Sequence, residues 1–312
     1  MINSFCVFIV PEFNMFDFNQ ALSKWQFKPI GENENSTMGF VEFDTHPIVF
    51  EKFPFLKDKK MFVYPAHYYK HFIIKKEEKV LSKGILENEF EKYIISKYSS
   101  VEEYKLKVSK ERQLEIKTNF EKELRKKALC KSSFYRCYII KNKYGTNYLI
   151  VDNSNKNKVA EILKWIEERV FAIGFRFALT EQSPFDILPQ KIKTREDLDK
   201  FSFQKRLVAK NKESNEKINI IHDDILGQNI HNLIDCFSLD IEKVGCEYQD
   251  IFKFDFSPNL VFSSFKFIDL KQLEDLNPQF GYDSKNLTMF YIGKMLDDLT
   301  DEFGGLQHDL FH

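Results

Sequence analysis

The chain has 312 residues, with 46 Lys and Arg against 47 Asp and Glu for a formal net charge of -1, and it is 43% hydrophobic and 15% aromatic. Such a composition excludes a disordered chain, which lacks the apolar surface to offset chain entropy, and the length suffices for two or three subdomains with real cores. The near-neutral balance, with a sequence pI of about 6.7, excludes a uniformly basic histone-like protein but does not say where the charges lie.

The chain reads as α+β, with no repeat and no low-complexity linker. Phe5 to Val10 reads as a first strand: the run is too short for a membrane span, lacks a basic leader and is followed by Pro11 and Glu12. A short helix over Phe16–Trp25 follows, then strands over Met38–Phe43, Pro47–Glu51 and Lys60–Tyr64. From Lys75 to Lys131 the chain reads as a lysine-studded helical stretch. Ser82 is placed to cap a helix carrying Ile85, Leu86, Phe90, Tyr93, Ile94 and Ile95. The pair Ser99-Ser100 interrupts it, and a second, longer helix aligns Ile116, Phe120, Leu124 and Ala128 on one stripe that faces the first helix or a partner subunit.

Strand periodicity returns at Phe134–Ile140 and Tyr148–Val151 around a turn at Tyr144-Gly145, followed by a helix over about Asn155–Val170 and a strand over Phe175–Leu179. The segment from Glu181 to about Ile230 is the least regular, holding Pro184, Pro189, a basic run through Lys205, Arg206, Lys210 and Lys212, and then a helix. Strands near Cys236–Asp240, Cys246–Tyr248, Phe252–Phe256 and Leu260–Phe267 come next. A helix over Asn286–Phe303 closes the fold, with Gly304-Gly305 as its stop. The expected domains are 1–75 with 232–312 as a central sheet domain, 76–180 as a helical pair with a β-β-α-β unit, and 181–231 as a projecting basic tip. Antiparallel sheets with packed helices are expected, in a ring-forming homodimer.

Catalytic signatures are absent from the sequence: it has no phosphate loop, no GxGxxG, no GxSxG and no HExxH. Five scattered cysteines without CxxC spacing point to reduced thiols in a cytoplasm, with no disulfide framework and no zinc site. His67 and His71 stand four apart, but in a strand-like setting they read as surface or aromatic-cluster histidines, and no metal or other cofactor is expected. The acidic groups Asp223-Asp224 and Asp297-Asp298 with Asp301-Glu302 suggest a metal-dependent nuclease as the alternative, because two-metal hydrolysis needs several carboxylates on one point. A third reading is a protein-protein scaffold that offers its lysines to an acidic partner. The lysine-dense helices together with the basic run at 205–212 favour a polyanion, since Lys and Arg neutralise phosphates without reading bases.

Several stretches, in order, resemble the RdgC family of recombination-associated proteins. These are Phe27-Lys28-Pro29 with Met38-Gly39-Phe40-Val41, then Lys76-Glu77-Glu78-Lys79-Val80-Leu81-Ser82, and Leu149-Ile150-Val151-Asp152 with Lys158, Ala160 and Glu161. Ala209-Lys210-Asn211-Lys212, Phe265-Lys266-Phe267, and Leu299 with Phe303-Gly304-Gly305 complete the likeness. The chain departs from the family pattern at Gly84, where proline is favoured, and at Phe40, which stands for tryptophan. The resemblance implies a non-enzymatic, cytoplasmic, nucleoid-associated homodimer that encloses double-stranded DNA without sequence preference and restrains RecA. By the same likeness Lys210 and Lys212 reach phosphates. Lys75, Lys76, Arg125, Lys126, Lys127, Lys131 and Arg206 are further candidates for DNA contact, and Phe120, Leu124 and Leu129 are candidates for the subunit contact. The family places an aromatic near Leu129 or Lys131, where this chain has none.

Overall fold

The computed structural model describes residues 2–43, 60–170, 174–221, 224–236, 239–280 and 284–307. The expected strand at Pro47–Glu51 and Asp223 of the acidic pair lie outside the described residues. The class is α+β as expected, and the named strands pair antiparallel throughout. The chain divides into two compact units, Met1–Lys24 with Glu42–Phe72 and Tyr135–His312, and Trp25–Val41 with Ile73–Phe134. Segment 181–231 falls within the first.

The first unit is built on strands β1 (Phe5–Val10), β5 (Cys130–Lys141), β6 (Asn147–Val151), β8 (Phe201–Asn211), β9 (Lys217–Ile221), β10 (Leu239–Tyr248), β11 (Phe252–Ser257) and β12 (Val261–Phe267), with β5 contributing from Tyr135 onward. They are ordered β5-β6-β1-β12-β11-β10-β8-β9. Every residue of β1 and β6 is buried, so both sheet faces are covered and the usual alternation of apolar and polar residues disappears from the central strands. One face carries Phe5, Val7, Tyr148, Ile150, Phe252, Phe254 and Phe262, in one core with Met289, Ile292, Met295, Leu296 and Leu299. Those five belong to the closing helix over Ser284–Glu302, which ends where Gly304 and Gly305 take φ of 85° and 94° and the Gly305 amide donates to the Thr300 carbonyl at 2.8 Å.

Residues 181–221, read from sequence as irregular, instead contain a helix over Pro184–Thr194 and the hairpin β8–β9. The basic run is therefore a strand, registered against β10 from Leu239↔Asn211 to Tyr248↔Phe201 with two irregularities. The strands expected near Cys236–Asp240 and Cys246–Tyr248 meet in the single strand β10 from Leu239 onward, while Cys236 ends a helix over Gln228–Cys236. Two further short elements in this unit are β3 (Tyr64–Pro65) and β7 (Arg176–Phe177), and helices over Met15–Ser23 and Lys156–Arg169 are capped by Asn14 and Asn155.

In the second unit, β2 (Ser36–Phe40) pairs with residues 74–78 of β4 (Lys70–Lys79). The lysine-rich stretch thus opens as a strand, and the expected helical pair is three helices, over Lys83–Tyr98, Val101–Lys107 and Lys110–Lys126. Each starts at a serine whose side chain accepts a backbone N–H: Ser82 from Ile85, Ser100 from Glu103 and Ser109 from Arg112. Ser99, at φ 67°, ends the first helix, and the extended Val108 ends the second. The sequence stripe faces inward: the Phe120 ring lies 4.9 Å from Tyr93 and 5.4 Å from Phe90. Ile94 and Tyr104 are the only fully buried side chains of the three helices, so their packing is thin.

Gly39 sits where strand β2 presses on the 25–27 segment, with the Phe40 amide donating to Trp25 and the Phe27 amide to Phe40 at 2.9 and 2.8 Å. A Cβ there would fall 2.4 Å from the Phe27 Cα and 2.6 Å from its nitrogen. Because backbone atoms cannot yield as a flexible side chain can, Gly39→Ala should cost about 1–3 kcal/mol, the range for overpacking. Urea denaturation should show a lower midpoint, and an unchanged midpoint would mean that this close approach does not exist.

Candidate nucleic-acid interface

In the second unit the candidate cations fall into two kinds. Lys75 and Lys76 are successive strand residues, so they leave opposite faces of β4. Their side chains are only 22% and 17% exposed, and each is paired two residues along, Lys75 with Glu77 at 2.7 Å and Lys76 with Glu78 at 3.7 Å. The Lys75 ammonium also lies 4.3 Å from the centre of the Phe27 ring. These two residues bind their own strand. On the last helix Arg125 holds Glu121 at 2.7 Å and Lys126 holds Glu123 at 2.6 Å, at helical i,i+4 and i,i+3 spacing.

Lys127, which caps that helix, and Lys131, near the start of β5, are exposed and make no ion pair among the described residues. Lys122 is of the same kind, although sequence reasoning left it out of the DNA-facing set. Its signal was present: no carboxylate stands three or four residues from it in either direction, whereas Arg125 and Lys126 each have one. Of the three candidate contact residues for a second subunit, Phe120 is taken up within the chain and Leu124 is half-buried, while Leu129 is 85% exposed, as are Leu106 at 87% and Leu114 at 68%.

The basic run of the first unit is only partly neutralised by its neighbours. Arg206 donates to Asp255 at 2.6 Å, and that buried carboxylate also accepts from Ser264 at 2.7 Å, with Lys243 at 3.9 Å. Removing Arg206 would strand a buried charge, so its first role is structural. Lys212 meets Asp240 at 2.9 Å and Lys217 meets Glu242 at 3.1 Å, but these pairs are exposed, and exposed pairs are worth about 0–1 kcal/mol, weak enough for phosphate to compete. Lys210, opposite Lys217 in the hairpin, and the exposed Lys205 make no ion pair among the described residues.

The C-terminal carboxylates do not converge. Asp298 accepts from Lys200 at 2.7 Å and from the Tyr248 hydroxyl at 2.6 Å, Asp301 from Tyr144 at 2.8 Å and from Lys143, and Glu302 from the Asp199 amide at 3.1 Å. Asp297 is buried, accepts from the Lys143 amide at 3.0 Å, and is pushed above the usual carboxylate range first by that burial. Asp297 and Asp301 thus both meet Lys143, through its amide and its ammonium, while Asp298 and Glu302 serve other donors, and no group of three or more potential ligands able to hold a metal ion occurs among the described residues. The histidine pair is likewise divided. His67 is exposed against Tyr68, whereas His71 is buried and stacked on Tyr138 with ring centres 4.6 Å apart.

The arrangement defines an α+β protein whose two units both carry surface cations that make no ion pair among the described residues, and whose C-terminal carboxylates accept from protein donors. The chain belongs to the RdgC family: the family described as "Putative exonuclease, RdgC" matches residues 5–306. Membership implies a recombination-associated protein. No curated protein gave a match. Among the described residues no helix is long and apolar enough to cross a membrane.

Burial lowers the His71 pKa from 6.5 to about 4, with the Lys285 and Arg136 charges adding to it. The unfolded chain therefore takes up a proton near pH 6.5 that the folded chain refuses until about pH 4, so the contribution of His71 to stability, full above pH 6.5, is lost progressively across that window. Denaturation midpoints measured from pH 7 to pH 5 should fall less steeply in His71→Phe than in the parent. Equal slopes would place the His71 ring in water.

Proposed function

We propose that this protein binds double-stranded DNA without sequence preference during recombination, as a homodimer. Support comes from one observation above the others: surface cations that make no ion pair among the described residues, such as Lys97, Lys105, Lys110, Lys122, Lys127 and Lys131 in one unit and Lys205 and Lys210 in the other, occur on a chain whose net charge is near zero. Lysines already paired bring their counter-charge with them, whereas unpaired ones release condensed counterions on meeting phosphate, and that release drives sequence-independent binding. No motif that reads base edges accompanies them.

On this reading two copies join through apolar side chains such as Leu129 and enclose the duplex in a ring, as the family likeness implies, with Lys212 adding a phosphate contact from its exposed pair. The same likeness carries modulation of RecA and association with the nucleoid in the cytoplasm. The "exonuclease" of the family description is the second reading. Against it stands the engagement of Asp297, Asp298, Asp301 and Glu302 by protein donors, with no metal-holding group of three or more ligands among the described residues.

Binding to unrelated duplexes should be of equal affinity and fall steeply with salt. The triple variant Lys122→Gln, Lys127→Gln, Lys131→Gln should flatten the slope of log K against log salt by about 0.9 for each phosphate that those lysines neutralise, while Lys126→Gln, already paired, should change it less. Fluorescence anisotropy across salt concentrations measures both, and a slope equal to the parent's would remove these lysines from the interface. Incubating end-labelled duplex with magnesium or manganese tests the second reading, since shortening of the strand would establish hydrolysis.

A further inference from the structure

The first unit holds a cavity of about 520 Å³ that neither the cationic surfaces nor the acidic cluster uses. It lies where Glu12 and Phe13 leave the end of β1, where residues 66–70 lead into β4, and where Lys141 and Asn147 face each other across the β5–β6 turn. Its volume falls within the range of small-molecule sites.

Two lysines share this cavity with one carboxylate. Lys141 donates to Glu12 at 2.7 Å, and both side chains are mostly exposed, at 59% and 75%. Lys70 is half-buried, its ammonium sits 4.7 Å from the Phe13 ring centre, and it makes no ion pair among the described residues. Its pKa is lowered first by burial and next by the Lys141 charge, with Glu12 opposing. A half-buried ammonium beside a second one, with a single carboxylate between two cations, is an electrostatic arrangement short of one anion. The exposed His67, with Phe13 held against Phe18 and the half-buried Tyr68 held against Phe280 and Phe290, brings ring surface to the same opening, and such rings stack on a nucleobase whatever its sequence.

We infer that this cavity binds a nucleoside 5′-phosphate, its phosphate held between Lys70 and Lys141 and its base against Phe13, His67 and Tyr68. The ligand is a free nucleotide or the 5′-phosphorylated end of a strand, which present the same groups. Charge-assisted contacts of this kind make the phosphate the larger part of the recognition, and Glu12 is set to exclude ligands of higher negative charge.

Calorimetric titration of the full chain with adenosine 5′-monophosphate, adenosine and inorganic phosphate tests the assignment. The monophosphate should bind more tightly than either fragment, and Lys70→Gln and Lys141→Gln should each weaken it by about tenfold, a factor typical of removing one charged hydrogen bond. Lys141 is exposed, so its variant keeps the test open should Lys70→Gln fail to fold. Adenosine binding as tightly as the monophosphate, no binding of the monophosphate, or affinities unchanged in the folded variants would each overturn the inference. Displacement of bound monophosphate by a short single strand only when it carries a 5′ phosphate would identify the strand end as the source, and no displacement would identify the free nucleotide. Because no duplex is used, failure here leaves the proposed DNA interface standing.

Discussion

The burial of both faces of the central strands β1 and β6 is the constraint from which much of the first unit follows. With all residues of β1 and β6 covered, these central strands offer no surface for charge, so charge is met inside by a partner, at a strand end, or on outer elements such as the β8–β9 hairpin. Asp255 and Asp297 show the first outcome, each held by donors brought from a distant stretch of chain. Lys70, Lys141 and Glu12 show the second, gathered where strands end. Lys210, Lys212 and Lys217 on the β8–β9 hairpin show the third.

The second unit solves the same problem with little core. Its three helices bury Ile94 and Tyr104 and lean on the aromatic cluster of Phe90, Tyr93 and Phe120, so their stability rests on serine caps and on ion pairs at three- and four-residue spacing. Those ion pairs use up many of the lysines and arginines that make the stretch look basic. About half of those cations, Lys122, Lys127 and Lys131 among them, make no ion pair among the described residues, and the functional reading depends on that remainder more than on the total.

Much of the fold was legible in the sequence because the signals are local. Ser82, Asn155 and the terminal glycines mark helix ends, and the stripe Ile116, Phe120, Leu124 marks the inward side of its helix. The errors came where tertiary pairing overrides local character. Lys75 to Lys79 read as helical from its charges yet pairs with β2, and the basic run through Lys205 and Lys212 read as irregular yet completes a sheet with β10. The histidine pair was visible as a spacing, but strand geometry sends His71 inward onto Tyr138 and leaves His67 outside.

By itself the amino-acid sequence determined the α+β class, the capped helices and the family likeness, because hydrophobic period, caps and ordered motifs are properties of neighbouring residues. It also contained the helical charge pairs, which need only i,i+3 and i,i+4 spacing. Only the tertiary structure decided which strand lysines are free, since Asp255 and Asp240 reach Arg206 and Lys212 through sheet pairing, and only it brought Lys70, Lys141 and Glu12 to one cavity. Coulomb attraction acts through space rather than along the chain, so the counter-ion of a cation is unknown until the fold has placed it.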